Sequence, residues 1–328
     1  MGPLLERILG PTARRLSGSI KTAPFVYNDT LVESPVFQSY VLRALQQITD
    51  GIERLGLPID VSITKPPSDE SFWVNLLGKG YPAPNRNFRW CMDRLKIRPS
   101  SEFIAQKARE FGEVVLVLGV RRAESAARQQ RIDAYSIAND HDRLIPSTEI
   151  DNCFIYRPIK DLSTSQVWEY LREVPSPWGS NATLSMLEVY QDAGMCNATQ
   201  SCALMDETGV ADSSSILARF GCWTCTVVKR DRSLESLIDS GYPELQSLVD
   251  YRNRLRDVSD TPKFRSKVRR NGAPGLGPLT FEARAMLLSE LLNLQDKVGL
   301  ELISPLEVHL IREQWEVDKS AAAIRSVL

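Results

Sequence analysis

Two thiols held two residues apart, in Gly221-Cys222-Trp223-Thr224-Cys225, are the part of this 328-residue sequence with the plainest chemical use. A C-x-x-C turn lets two sulfurs converge on one centre, and a glycine just before it lets the backbone come close. Cys196 and Cys202 lie a short way upstream, so four sulfurs are available for a zinc ion or an iron–sulfur cluster. Cys91 stands apart, within Arg89-Trp90-Cys91-Met92-Asp93-Arg94-Leu95-Lys96. Two readings of it stand: a small core residue, or a thiolate favoured by the cations around it.

Anion chemistry is the second theme. Arg121, Arg122 and Arg128 follow Gly119 at the end of the apolar run 113–120. Guanidinium forks at a strand's carboxyl end, beside a helix start, suit phosphate or sulfate; the competing reading is surface arginines paired with Glu124. Asp29, Thr30 and Glu33 follow the apolar run 23–27. A carboxylate there can accept from a ribose or a base amine, or it can simply cap the next helix. The basic run Lys263, Arg265, Lys267, Arg269 and Arg270 either follows a phosphate backbone or forms a solvated face. His141 and His309 are isolated and read as structural or surface residues, which leaves neither a His-based metal site nor a Ser-His-Asp triad.

The elements that must position these groups alternate. Residues 23–27, 58–63, 113–120 and 154–159 read as strands, and 36–55, 101–111 and 163–173 carry apolar residues at helical spacing. Residues 3–16 and 71–77 also read as helical, and Ser163 is placed to cap the helix after it. Such alternation predicts an α/β fold on a parallel sheet. The run 113–120 is expected to be its central strand, covered on both faces. Beyond residue 178 the strand signal fades into loops and helices, the helices covering 242–258, 280–300 and 304–317. Three regions are therefore expected: an α/β domain over 1–177, a cysteine and helical region over 178–260, and a basic loop with helices over 261–328.

With 43% apolar and 25% charged residues the chain is no disordered segment, and a net charge of −1 gives no global attraction to nucleic acid. No stretch reaches the roughly 18 apolar residues of a membrane span. Six cysteines without a secretory leader point to a reducing cytoplasm rather than a disulfide framework.

Several stretches, in this order, resemble one family. Asp29-Thr30 with Glu33-Ser34-Pro35, Arg89 to Ile97, Gly119 to Arg128, and Arg157-Pro158-Ile159 with Asp161 leading to Val167-Trp168 are similar to motifs of the PAPS reductase-like branch of the ATP-pyrophosphatase superfamily. The likeness is strongest to the DndC-like sulfurtransferases of bacterial DNA phosphorothioation, and it continues through 219–229, 269–278 and 303–318.

This resemblance implies an adenine-nucleotide alpha hydrolase-like core with a cysteine-cluster region and a helical C-terminal region. It implies catalytic roles for Cys91, Arg121 and Arg128, and nucleotide contacts from Asp29, Thr30, Glu33 and Gly119. It implies a [4Fe–4S] cluster on Cys196, Cys202, Cys222 and Cys225, with three ligands as the alternative because Ser213-Ser214-Ser215 stand where the family places a cysteine. DNA contacts would come from Arg265, Lys267, Arg269 and Arg270. The implied reaction splits ATP, with Mg, between its α- and β-phosphates to adenylate a DNA phosphate oxygen. Sulfur from a cysteine desulfurase then displaces the adenylate, alongside other proteins of the modification complex.

The family's Ser-Gly-Gly-Lys-Asp-Ser phosphate loop does not occur in the sequence, and residues 1–9 already read as the helix that should follow it. An incomplete ATP site is therefore expected, from a start placed beyond the loop or from lost activity. A non-catalytic DNA-binding subunit and a sulfonucleotide reductase-like enzyme are the alternative expectations.

Overall fold

β1 (Ala23–Asn28) and β2 (Ile59–Thr64) pair in parallel, from Ala23 opposite Ile59 to Asn28 opposite Thr64. α1 (Pro35–Leu55) connects them. It starts on Pro35, whose fixed φ suits a first turn. It stops at Gly56, where a left-handed φ of 59° lets the glycine N–H bond back to the carbonyls of Ile52 and Glu53. The computed structural model describes residues 23–136, 144–179 and 221–327.

A second sheet has the order β3 (Val114–Val117), β5 (Cys153–Tyr156), β4 (Leu144–Pro146). β3 runs parallel to β5 and β4 runs antiparallel to it. α2 (Arg98–Phe111) packs on β2, β3 and β5 and so ties the two sheets together. This is the α/β architecture with parallel strands that the alternation predicts.

The run 113–120 differs from expectation in its place. Only Val114–Val117 is strand, it sits at the edge of the described sheet, and Val117 is 46% exposed. An apolar run states that a strand is covered, not which of its edges is paired. The middle position belongs to β5. β4 is too short, and ends in proline, to leave a period in the sequence.

α3 (Ala126–Ser136) and α4 (Thr164–Glu173) follow β3 and β5. Ser163 caps α4 as its position suggests. The Gln166 N–H donates to Ser163 Oγ at 3.2 Å and the Ser163 N–H donates to Gln166 Oε1 at 2.8 Å.

The remaining helices are α5 (Arg232–Asp239), α6 (Gln246–Asp260), α7 (Phe281–Val298) and α8 (Pro305–Val327). Their apolar faces bury against the segment 72–95. There, the expected helix over 71–77 is a wider π-type turn, Val74–Gly78, packed on α7 and α8. One buried core takes Val32, Trp73, Leu77 and Trp90 together with Trp223, Leu255, Leu287 and Ile311. Packing therefore crosses the boundaries expected at residues 177 and 260.

Each core indole that meets the backbone there is satisfied. Trp73 donates to the Leu302 carbonyl at 2.7 Å, Trp315 to that of Leu77 at 2.7 Å, and Trp90 to that of Pro82 at 2.9 Å. Among the described residues no helix is long and apolar enough to cross a membrane.

Because α6, α7, α8 and the segment 72–95 share this core, truncating Leu287, which is 0% exposed, should destabilise all of them at once. Leu287→Ala is expected to cost about 2–5 kcal/mol in a single urea transition. Trp73→Phe, which orphans the Leu302 carbonyl, should cost about 1–3 kcal/mol.

Candidate functional site

The chain leaves β1 through Asp29, whose N–H donates to the Thr64 carbonyl at 2.9 Å and closes the ladder. Asp29 Oδ1 then accepts from the Leu31 N–H at 2.9 Å, and Leu31 takes a left-handed φ of 65°. That conformation is uncommon for a branched residue without glycine's freedom. The carboxylate of Asp29 thus holds a tight turn, while α1 starts later, after Ser34. Lys65, from the end of β2, approaches Asp29 Oδ2 at 3.4 Å.

The C-x-x-C segment docks on this turn. Glu33 and Cys222 form an isolated antiparallel bridge, and the Trp223 N–H donates to the Val32 carbonyl at 3.0 Å. Trp223, 2% exposed, packs on Trp73 and Tyr251 with ring centroids 5.7 and 6.1 Å away. The Cys225 N–H returns to the Cys222 carbonyl at 3.0 Å, which closes the turn between the two thiols. Thr226 Oγ1 donates to the Pro84 carbonyl at 2.5 Å.

Beneath the segment lies Arg252 of α6, 1% exposed. Its guanidinium donates to the carbonyls of Cys225 at 2.8 Å, Lys229 at 2.9 Å and Val228. Burial holds Arg252 below its ordinary pKa, with Asp231 acting the other way. A planar fork can serve several carbonyls at once, which a lysine ammonium matches poorly. Arg252 escaped the motif reading, although a signal was there. It occupies the same helical stripe as Leu248, Leu255 and Ser259, all buried, so it is a charge on an apolar face.

Thr30, fully buried, links the acid to the thiol. Its hydroxyl donates to Glu33 Oε1 at 2.9 Å and lies 3.4 Å from Cys222 Sγ. Thr30 has one hydroxyl hydrogen, and an ionised Glu33 can only accept. While that hydrogen serves Glu33 the Cys222 thiol donates to Thr30 Oγ1, and a Cys222 thiolate accepts the Thr30 hydroxyl instead, which is how the hydroxyl favours the thiolate. Lys96 Nζ stands 3.7 Å from Glu33 Oε1.

Electrostatics bring Cys91 into the same group. Burial, then Glu33, push the Cys222 thiol up to about 12, against Lys96 and the Thr30 hydroxyl. Burial, then Cys225, push Cys91 up to about 11, with Lys96 again opposing. Burial alone would lower the Lys96 ammonium, but Cys222, Glu33, Cys91 and Cys225 outweigh it and raise it. One cation thus serves three thiols and a carboxylate. Of the other two expected cations beside Cys91, Arg89 is exposed and Arg94 is engaged by Glu70 and by Tyr81 Oη at 3.0 Å.

The other sequence candidates lie elsewhere. Arg121 donates to Thr164 Oγ1 at 3.0 Å and lies 3.9 Å from Glu124, while Arg128 Nε sits 3.2 Å from the same carboxylate. Arg122 is held by Asp133 at 2.8 Å and by Asp161. These arginines brace the turn after β3. Gly119 is exposed there, facing Ile159.

Arg265 is turned inward onto the carbonyls of Gly277 at 2.6 Å, Ser259 at 2.7 Å and Leu276 at 3.3 Å, whereas Lys267, Arg269 and Arg270 are exposed. Cys196, Cys202 and His141 fall outside the described residues.

For a thiolate-bound metal centre the donor set fits in kind: soft sulfurs, a neighbouring cation, and hydroxyls able to donate to sulfur. Tyr27 Oη, Ser34 Oγ and Thr224 Oγ1 are buried on these same segments without a hydrogen-bond partner. Burial, then Glu33, Asp29 and Cys222, push the Tyr27 phenol far up, so it remains a donor. In number the set is incomplete, since among the described residues no group of three or more His, Cys, Asp or Glu side chains is placed to hold an ion.

Comparison with known proteins bears on the part of this region up to residue 228. The profile of the phosphoadenosine phosphosulfate reductase domain matches residues 19–228, close to two-thirds of the chain. A stretch of 109 residues, 33% of the chain, is 28% identical to an uncharacterised protein of Methanocaldococcus jannaschii. That stretch spans only 20% of the archaeal protein's length.

Two measurements check the geometry. In metal-free protein, alkylation of Cys91 should be slow at neutral pH and half-maximal near pH 11, against 9.0 for an ordinary thiol. The sign for stability follows: the raised thiols contribute fully below pH 9.0 and lose that contribution as pH rises toward 11 and 12. Arg252→Met should cost about 1–3 kcal/mol for the Cys225 carbonyl alone and should speed alkylation of Cys225, read by mass spectrometry.

Proposed function

This chain belongs to the phosphoadenosine phosphosulfate reductase domain family, whose chemistry is sulfur transfer or the handling of sulfated nucleotides; on that premise we propose that it acts in sulfur transfer, with a DNA backbone phosphate as acceptor and phosphorothioate as product. The observation that carries the reading is the docking of the C-x-x-C turn on the end of β1, which sets Cys222 beside the Thr30–Glu33 pair with Lys96 next to Glu33.

The protein's own groups have distinct tasks in this scheme. At rest the Cys91 and Cys222 thiols are protonated, because burial opposes their charge. The proton of Cys222 leaves through Thr30 Oγ1 toward Glu33 Oε1 when a positive centre or an electrophilic sulfur stabilises the thiolate. Lys96, held cationic, offsets the sulfur charge that forms. Trp223 and Arg252 keep the turn rigid during the change.

An iron–sulfur centre is proposed on Cys222 and Cys225, with Cys196 and Cys202 as its further ligands. When bound, it supplies Lewis-acid and one-electron chemistry beside the acceptor. ATP with Mg is proposed to activate the acceptor, near Asp29 and Lys65 at the strand end, where open α/β sheets hold nucleotides. A cysteine desulfurase is the proposed sulfur source, and Lys267, Arg269 and Arg270 the exposed cations that meet the strand.

The family match itself favours a second reading, with a sulfated nucleotide as the substrate. Anaerobic protein incubated with a desulfurase, cysteine, ATP and duplex DNA separates the two. Phosphorothioate dinucleotides after nuclease digestion, lost in Cys222→Ser, are the predicted result. Consumption of adenylyl sulfate with unmodified DNA would replace the DNA reading with the sulfonucleotide one.

A further inference from the structure

A cavity of about 330 Å³ is lined by Lys79, Arg270, Arg284, Gln314 and Asp318, with Pro278 and Leu279. That volume lies at the small end of ligand sites. The thiol site uses none of these residues.

Four observations set the cavity apart from a solvated basic face. Arg284, 7% exposed, is anchored by donating to the Gly78 carbonyl and to Asp318 Oδ2 at 2.7 Å, yet its Nε is buried without a partner. Asp318, the carboxylate of the lining, has both oxygens engaged, the second by Gln314 Nε2 at 3.0 Å.

Arg270 is fixed rather than waving. It lies 4.3 Å above the Tyr81 ring centroid and donates to the Lys79 carbonyl. Lys79 donates to Glu70 at 2.8 Å, and Arg94 takes the same carboxylate. Three cations therefore line the cavity; Asp318 meets Arg284 and Glu70 meets Lys79 and Arg94, so Arg270 is the lining cation not held by either carboxylate. Burial, with Arg270, holds the Lys79 ammonium below its ordinary pKa, while Asp69 and Tyr81 oppose this from the rim.

We infer that this cavity is an anion site that takes a phosphate group, with Arg270 and Lys79 as its principal cations and the anchored Arg284 beside them in the lining. A compact tetrahedral oxyanion accepts from several donors at once, and guanidinium forks match its geometry. The site divides the basic run in a way the sequence did not suggest. Arg265 holds the loop together, and Arg270 presents the charge. The phosphate is one group of a nucleic-acid strand or belongs to a free phosphorylated molecule, and the inference stands independently of the thiol-site reading.

Calorimetric titration of the full chain tests it, using inorganic phosphate, AMP and a short single-stranded oligonucleotide in parallel. Inorganic phosphate should bind, about tenfold more weakly in Arg270→Gln and in Lys79→Gln, both chosen because neither residue is in the buried core. In the unaltered protein, phosphate should also protect Arg270 from phenylglyoxal, read by mass spectrometry. An oligonucleotide that displaces phosphate and depends on Arg270 assigns the site to a strand, and displacement by AMP alone assigns it to a small molecule. Absent phosphate binding, or equal affinity in the unaltered protein and both variants, overturns the inference.

Discussion

The buried guanidinium of Arg252 is the constraint on which this molecule's chemistry depends. A loop that carries two thiols has little of its own to fix it, because Cys222 to Lys229 contains no helix or strand. Arg252 supplies the missing partners by binding three of its carbonyls from below. Trp223 adds an apolar anchor and a backbone bond to Val32. The loop is consequently held between a helix and the end of a strand, and Cys222 meets Thr30 and Glu33 at a fixed distance. Sulfur chemistry at a buried, preorganised position follows from that docking and not from the C-x-x-C spacing alone.

Much of the fold was legible because its signals are local. Strands at 23–28 and 59–64, the Ser163 cap, and the helices after residue 240 follow from periodicity and cap chemistry. What the sequence could not convey was partnership. The run 113–120 looked central by its composition, yet β5 holds the middle, because edge pairing is decided by the whole sheet. The three regions drawn along the chain likewise share one core, since a turn at 74–78 fills the space between α7 and α8.

At the candidate site the same division appears. Asp29, Thr30 and Glu33 could be picked out from their place after a strand, but not their roles. Asp29 fixes a turn, Thr30 bridges, and Glu33 accepts. Cys91 gave two equal readings in sequence, and the fold adds that burial and a neighbouring thiol, not its cations, set its acidity. Arg121 and Arg128, the most specific anion signal in the chain, share Glu124 in the structure. Charge near a strand end is a weak guide when a carboxylate lies three residues away.

The central claim is that the C-x-x-C turn docked on the Thr30–Glu33 pair holds an iron–sulfur centre. Iron and sulfide content, with the electron paramagnetic resonance spectrum of the reduced protein, should be measured on anaerobically prepared chain and on Cys225→Ser. The account predicts bound iron and a cluster signal in the first and their loss in the second. Equal iron content and an unchanged spectrum in Cys225→Ser would contradict it.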